Sequence, residues 1–202
     1  MPCTDGAEFA LPDALVSERA ARWQVQRERF AGSAFYQRHH PRAPLTLPTS
    51  LAGIAQMPFT DKEQLRADQA AYRPLRSFPA HSRNRVTRLH RTSGTSGQAM
   101  NLALSPHDAK LQAKVAGRAQ SAAGLGPGDI VVHCLNYQLW MGGLTDHLGL
   151  EATGALVVPF GTGATELLIR TIRELGINAI SCTPSYPARL AEVLGEHFPD
   201  IE

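Results

Sequence analysis

The second half of the chain alternates short apolar runs with amphipathic stretches. The apolar runs are β-prone and continuous, and they lie at residues 130–135, 155–159 and 177–182. Such runs are typical of strands buried on both faces of a parallel sheet. Apolar residues at helical spacing lie at residues 106–124, 143–153 and 165–175. They predict a stripe with Leu111 and Val115 along the first helix and inward-facing Leu168 and Leu175 on the third. Strands and helices that alternate through short connections predict right-handed crossovers and a mostly parallel sheet flanked by helices.

The first part of the chain carries a weaker pattern. Leu15, Trp23 and Phe30 recur near helical spacing and predict an amphipathic helix over residues 13–30. Three prolines and little periodicity predict an irregular connector over residues 32–50. We therefore expect a helical or irregular N-terminal segment at residues 1–80 and an α/β portion at residues 81–202.

A helix start is predicted in the middle of that N-terminal segment. Thr60-Asp61-Lys62-Glu63 fits a capping box, in which the Thr60 hydroxyl and the Glu63 carboxylate each accept a hydrogen bond from the other residue's backbone amide. A short helix through Ala67 should follow.

Composition excludes several classes of protein. With 202 residues, a net charge of +2 and 43% hydrophobic residues, the chain is long enough for one sizeable core, and nothing in it demands nucleic acid or a membrane. No apolar run approaches the roughly 20 residues that span a bilayer, and the N-terminus lacks a basic-then-apolar signal pattern, so we expect the cytoplasm. The three cysteines are widely spaced, and neither cysteines nor histidines are paired at the spacing of metal ligands. The sequence therefore predicts no metal site.

A glycine- and hydroxyl-rich loop separates two predicted strands. Residues 92–98 contain two glycines, four hydroxyl side chains and no apolar side chain, a composition that suits wrapping an anion. β-prone residues at 86–89 and alternation at 100–104 place a strand on either side. The spacing fits neither a Walker loop, a dinucleotide fingerprint nor a nucleophile elbow. A solvated hairpin tip is the alternative interpretation.

A second candidate follows the predicted strand at 130–135. Tyr137, Trp140, Gly142 and Gly143 combine aromatic faces with glycines, which suits a pocket wall, although both aromatics could equally be core residues. In parallel sheets, ligands bind beyond the carboxyl ends of the strands. Tyr137 lies at such an end, as do residues 161–163 and 183–185.

Several motifs in one order resemble the phenylacetate-CoA ligase family of adenylate-forming enzymes, whose loop typically reads Ser-Ser-Gly-Thr-Thr-Gly-Lys. The likeness covers roughly residues 55–190. Its motifs are Pro58 to Lys62, Arg88-Leu89-His90, the loop at 92–98, Tyr137, Gly142-Gly143-Leu144 with His147, Val158-Pro159 before Thr165-Glu166, and Thr183-Pro184-Ser185-Tyr186.

The resemblance implies part of an adenylate-forming N-terminal domain and a two-step reaction. A small aromatic carboxylic acid would attack ATP to give an acyl adenylate, and the acyl group would then pass to coenzyme A, with Mg²⁺ assisting. By the same resemblance, AMP and ATP would be bound by Arg88, Thr92, Ser93, Gly94, Thr95, Ser96, Gly97 and Gln98, of which Thr95 and Ser96 would contact phosphate. The acid would be bound by Tyr137, Trp140, Gly142, Gly143 and His147.

The chain departs from the family in three ways. Gln98 stands where many relatives have lysine, and Trp140 where the family usually has phenylalanine. The adenine-contacting segment, the acidic ribose ligand and the C-terminal domain with its catalytic lysine have no counterpart. No catalytic residue is therefore assigned, and we predict an N-terminal portion that is inactive alone. Two alternatives stay open: a non-catalytic module that binds nucleotide or aromatic acid, and an interaction subunit that pairs with a separate C-terminal half. An exposed sheet edge predicts self-association.

Overall fold

A computed structural model describes residues 11–39, 51–72, 75, 83–94 and 98–197. These residues form two compact units, which meet in sequence between Pro106 and His107. The boundary predicted at residues 80 and 81 falls outside the described residues, and that division stays a prediction. No helix in the described ranges is long and apolar enough to cross a membrane.

The unit before His107 combines helices with one β-hairpin. Its elements are α1 (Pro12–Gly32), α2 (Ala34–His39), a 3₁₀ helix (Leu51–Gln56), α3 (Lys62–Ala71), a 3₁₀ turn (Arg83–Arg85), β1 (Arg88–Arg91) and β2 (Asn101–Leu104). The two strands are antiparallel, with Arg88 opposite Leu104 and Arg91 opposite Asn101. The prediction that the glycine-rich loop joins two strands is confirmed.

Two local predictions in this unit are wrong. Helix α2 occupies the first part of the predicted irregular connector, because Phe35 is fully buried and stacks edge-on against Tyr36, with ring centroids 5.4 Å apart. Residues 40–50 of that connector lie outside the described residues. The capping box of α3 begins one residue later than predicted. Asp61 is the N-cap: its carboxylate accepts from the Gln64 amide at 2.8 Å, and the Gln64 side chain accepts from the Asp61 amide at 3.1 Å. Two adjacent residues able to cap explain the shift.

The unit from His107 onward is an α/β layer structure. Its elements are α4 (Pro106–Ala122), β3 (Ile130–His133), α5 (Met141–Ala152), β4 (Leu156–Pro159), α6 (Thr165–Leu175), β5 (Ala179–Ser181) and α7 (Tyr186–His197). The strands are parallel in the order β4-β3-β5. The predicted α/β fold with a parallel sheet flanked by helices is confirmed.

Strand β3 is the centre of this unit, since both of its faces are buried. Val131 packs with Leu150 of α5 and with Ala155, whereas Val132 packs on the other face with Leu168 of α6. The helical pattern predicted Leu175 to be buried with Leu168, but Leu175 is half exposed at the last turn of α6. The stripe predicted along α4 is also exposed at Leu111 and Val115. Helix α4 instead packs against α5 through small residues. A Cβ on Gly149 of α5 would lie 2.5 Å from the Cβ of Ala116 in α4.

Candidate functional site

The glycine-rich loop rises from a hairpin that is closed by Thr92 and Met100. The Thr92 amide donates to the Met100 carbonyl at 3.0 Å, and the Met100 amide donates to Thr92 Oγ1 at 3.0 Å. Gly94 adopts φ 72°, a left-handed conformation that favours glycine. Thr95, Ser96 and Gly97 lie outside the described residues. The Thr92 side chain thus holds the stem of the loop together, and Ser93, Gly94 and Gln98 flank its tip.

Gln69 of α3 anchors the returning side of the same loop. Its Nε2 donates to the Ala99 carbonyl at 2.7 Å, and its Oε1 accepts from the Asn101 amide at 2.7 Å. The residue is buried. Nothing in the local sequence distinguishes this glutamine from its neighbours, so sequence analysis missed it. The amide fixes the backbone on the C-terminal side of the loop.

A partly buried ion pair holds α3 itself in place. Arg38 of α2 donates to the Asp68 carboxylate at 2.7 Å, and the Asp68 side chain is almost fully buried. The Arg38 guanidinium also lies over the ring of Tyr72, 4.1 Å from its centroid. Because Asp68 precedes Gln69, these contacts fix the helix turn that carries the loop anchor.

Arg88, predicted to bind nucleotide, lies at the far end of the hairpin. It pairs with Leu104, whereas Arg91 pairs with Asn101 beside the loop, so the two arginine Cα atoms are roughly 10 Å apart along the strand. The buried Nη1 of Arg88 has no hydrogen-bond partner among the described residues, and an unsatisfied buried donor is costly. Arg91 is exposed and next to the loop in sequence, which makes it the better-placed cation.

The second group of predicted residues lies beyond the carboxyl end of β3. His133 ends that strand and is fully buried. Its Nε2 lies 2.8 Å from the Gly143 carbonyl and its Nδ1 lies 3.0 Å from Ser181 Oγ. Because a carbonyl only accepts, Nε2 carries the hydrogen and Nδ1 accepts from the Ser181 hydroxyl. Burial lowers the pKa of His133, which favours the neutral ring.

Tyr137, His147 and Glu151 form a chain of hydrogen bonds. The Tyr137 hydroxyl lies 2.9 Å from His147 Nδ1, and His147 Nε2 lies 3.1 Å from Glu151 Oε1. Burial raises the pKa of Tyr137 to about 12, with smaller contributions from Cys134 and Glu151, so the phenol stays protonated near neutral pH. The structure thus brings together two predicted residues. Glu151 was missed, although its i, i+4 spacing from His147 on a helix was the available signal.

The two glycines at the start of α5 allow parts of the chain to approach each other. A Cβ on Gly143 would lie 2.1 Å from the Asn136 carbonyl oxygen, and a Cβ on Gly142 would lie 2.8 Å from the Trp140 ring. Trp140 is 42% exposed, so it is not a core residue. Leu139 before it has φ 59°, an uncommon conformation for a branched side chain. Gly143 brings α5, and with it His147, against the segment that carries Tyr137.

The described residues contain no group of three or more His, Cys, Asp or Glu side chains that could hold a metal ion. One cavity of about 480 Å³ lies at α6 and α7 and contains none of the predicted site residues. Its ionisable lining residues are Glu166, Arg170, Arg189 and His197.

Comparisons with known proteins agree with the motifs, although no family model matches the chain. A phenylacetate-coenzyme A ligase from Thermus thermophilus is 39% identical over 142 residues, which are 70% of this chain and 31% of that protein. Phenylacetate-coenzyme A ligases from Pseudomonas putida and Escherichia coli are 37% and 34% identical, over 71% of this chain and 32% of theirs. The chain therefore spans about a third of the length of the curated relatives that it matches.

Comparison with solved structures also finds acyl-CoA ligases. Crystal structures of 2-hydroxyisobutyryl-CoA ligase with 2-HIB-AMP and CoA match at 28% identity. An open conformation has a TM-score of 0.80 over 90% of this chain and 43% of that chain. The thioesterification state has a TM-score of 0.83 over 92% and 40%. Partial coverage of this kind fits the predicted N-terminal portion. The chain belongs to the phenylacetate-CoA ligase-like family of adenylate-forming enzymes, as its motifs predicted, and it spans about a third of those relatives.

Proposed function

We propose that this chain is the N-terminal portion of an ATP-dependent aryl-acid CoA ligase, which adenylates a carboxylate and transfers it to coenzyme A. The observation that carries the proposal is the match to phenylacetate-coenzyme A ligases, 34% identical or more over about seven tenths of the chain. The solved neighbours, which hold an acyl adenylate and CoA, support the same two-step chemistry.

The loop at residues 92–98 is proposed to bind the phosphates of ATP. Phosphoryl chemistry depends mainly on positioning and on neutralising charge, which backbone amides and hydroxyls can supply. Gln98 offers an amide donor in place of the lysine of many relatives, and exposed Arg91 supplies a cation beside the loop. Mg²⁺ is proposed to assist as part of a Mg·ATP complex.

The acid is proposed to bind beyond β3, beside Tyr137, His147 and Trp140. This position is at the carboxyl end of a parallel sheet, where ligands of such folds bind. The half-exposed Trp140 ring offers an aromatic face for an aryl group such as that of phenylacetate. Gly142 and Gly143 shape the backbone there.

On their own, these 202 residues are proposed to bind ligands without turning them over, because they span only about a third of their relatives. The same partial coverage favours a second candidate, a binding module or an interaction subunit that works with a separate C-terminal half. In the described residues, β4 and β5 each pair only with β3, and Leu156 and Ile180 on them are exposed. Such edges favour self-association, which sedimentation velocity over a range of concentrations would detect.

Calorimetric titration tests the proposal directly. The chain is titrated with Mg·ATP and then with phenylacetate, while release of pyrophosphate is followed separately. Gly94→Val should abolish nucleotide binding, because valine does not tolerate φ 72°. Gly126→Val is the matched control, since Gly126 has open space around it and no positive φ. Absence of heat with both ligands would refute the proposal, and pyrophosphate release by the chain alone would refute its inactivity.

A further inference from the structure

The hydrogen bonds from Glu151 through His147 to Tyr137 determine the direction in which the Tyr137 hydroxyl points. We propose that Glu151 and His147 are positioning residues that orient the Tyr137 hydroxyl toward His147, so that its oxygen offers only lone pairs to a bound acid. The acid that fits this site best then carries a hydrogen-bond donor, such as a hydroxyl group. The inference rests on the proposed function, because it assumes that the acid binds beside Tyr137.

The direction of each hydrogen bond follows from the carboxylate. A carboxylate only accepts hydrogen bonds, so His147 Nε2, 3.1 Å from Glu151 Oε1, carries the ring hydrogen. In a neutral imidazole the other nitrogen is then an acceptor. With the ring in this neutral form, the Tyr137 hydroxyl, 2.9 Å from His147 Nδ1, donates. Its single hydrogen is used within the protein.

The surroundings leave no competing partner for that hydrogen among the described residues. The ring of His133 lies edge-on to Tyr137, with centroids 5.4 Å apart, but its two nitrogens already bond Ser181 and Gly143. Burial keeps the Tyr137 phenol protonated, which preserves the donor. The His147 side chain is only 14% exposed, so water competes weakly for Nδ1.

The polarity of the site follows from these directions. Once the Tyr137 hydroxyl donates to His147, its oxygen can only accept from a ligand. An acid with a hydroxyl can donate to that oxygen, whereas the corresponding methyl ether cannot. A site with a fixed acceptor discriminates between such ligands, because a bound ligand that cannot donate covers the partly buried Tyr137 oxygen and leaves it unpaired.

The first measurement is the tautomer of His147. Long-range proton–nitrogen correlation spectra of the labelled chain at about pH 8 distinguish a hydrogen on Nε2 from one on Nδ1. We expect the Nε2 form in the wild type and a mixture of both forms in Glu151→Ala. Glu192→Ala, an exposed helical glutamate paired with Arg189 at 3.0 Å, is the matched control and should leave the spectrum unchanged. A hydrogen on His147 Nδ1 in the wild type would overturn the inference.

The second measurement is ligand preference. Phenylacetate, its hydroxylated analogues and their methoxy counterparts are titrated calorimetrically into the wild type, Tyr137→Phe, Glu151→Ala and Glu192→Ala. At least one hydroxylated acid should bind the wild type about tenfold more tightly than its methoxy counterpart. Tyr137→Phe should remove that preference, Glu151→Ala should reduce it severalfold, and Glu192→Ala should retain it.

The two proposals fail in different ways. Equal binding of the hydroxylated and methoxy acids would refute the positioning role alone and leave the acid site intact. Failure of every acid to bind would refute the proposed acid site and this inference with it. A preference for hydroxylated acids that survives in Tyr137→Phe would also refute the inference, because the donor would then be recognised elsewhere.

Discussion

Replacing Gly143 by alanine tests how closely the start of α5 must approach the segment after β3. The new Cβ would lie 2.1 Å from the Asn136 carbonyl oxygen and 2.8 Å from the Tyr137 Cα, and both are backbone atoms that cannot swing aside. Overpacking of this kind costs about 1–3 kcal/mol. Moving the Gly143 carbonyl also weakens its 2.8 Å hydrogen bond from buried His133, worth about 1 kcal/mol. Alanine is more favourable than glycine in a helix by up to about 1 kcal/mol, which offsets part of this cost.

The net expectation for Gly143→Ala is a loss of about 2 kcal/mol in the free energy of unfolding, a fall in Tm of about 4–8 °C. Circular dichroism during urea and thermal unfolding measures both. Gly142→Ala is the matched control in the same helix turn. Its Cβ would meet only the movable, half-exposed Trp140 ring at 2.8 Å, so its effect should stay within about 0.5 kcal/mol. Equal costs for the two variants would show that the close approach is not what requires Gly143.

Three further predictions concern other parts of the chain. Gln69→Ala should lower the free energy of unfolding by about 2–3 kcal/mol, because it leaves two backbone groups without hydrogen-bond partners. Gln37→Ala, which removes one exposed hydrogen bond, should lower it by less than about 1 kcal/mol. Urea unfolding measures both. Burial lowers the pKa of His133 in the folded state, so the unfolded chain binds the proton more readily. The contribution of the neutral His133 ring to the free energy of unfolding is therefore fully present above about pH 6.5 and is lost as the pH falls below it. His133→Asn should reduce this dependence of the free energy of unfolding on pH, measured by unfolding curves at several pH values. Burial raises the pKa of the Cys134 thiol to about 11, so iodoacetamide near pH 8 should label Cys134 only after unfolding; rapid labelling of the folded chain, located by mass spectrometry, would contradict this.

Local patterns predicted the elements of the α/β unit well. Helix α6 was predicted with its observed bounds, because Gly176 supplies a left-handed cap at φ 62°. Strand β3 was predicted because an apolar run of that length is buried on both faces. The apolar spacing correctly predicted that Leu168 is buried but was wrong for Leu175. Spacing identifies the apolar face of a helix, but it does not show how far along that face neighbouring elements pack.

The site itself was predicted only in part. Tyr137 and His147 were identified, but their hydrogen bond depends on how close Gly143 lets α5 come, a tertiary distance that no spacing encodes. Gln69 was missed because its partners lie 30 and 32 residues away. Arg88 was placed in the site by resemblance, and strand register puts it at the opposite end of the hairpin from the loop.

The Gln69 amide acts as a substitute for one peptide group of a neighbouring strand. It offers a donor and an acceptor to backbone groups two positions apart, the spacing along one edge of an extended chain. The hairpin edge is thereby completed by a helix side chain, and the rotation of α3 about its own axis sets where the loop stem lies. Inserting one residue early in α3 would turn this amide by about 100° and release that edge. The length of α3 up to Gln69 is thus under a constraint that its surface sequence does not reveal.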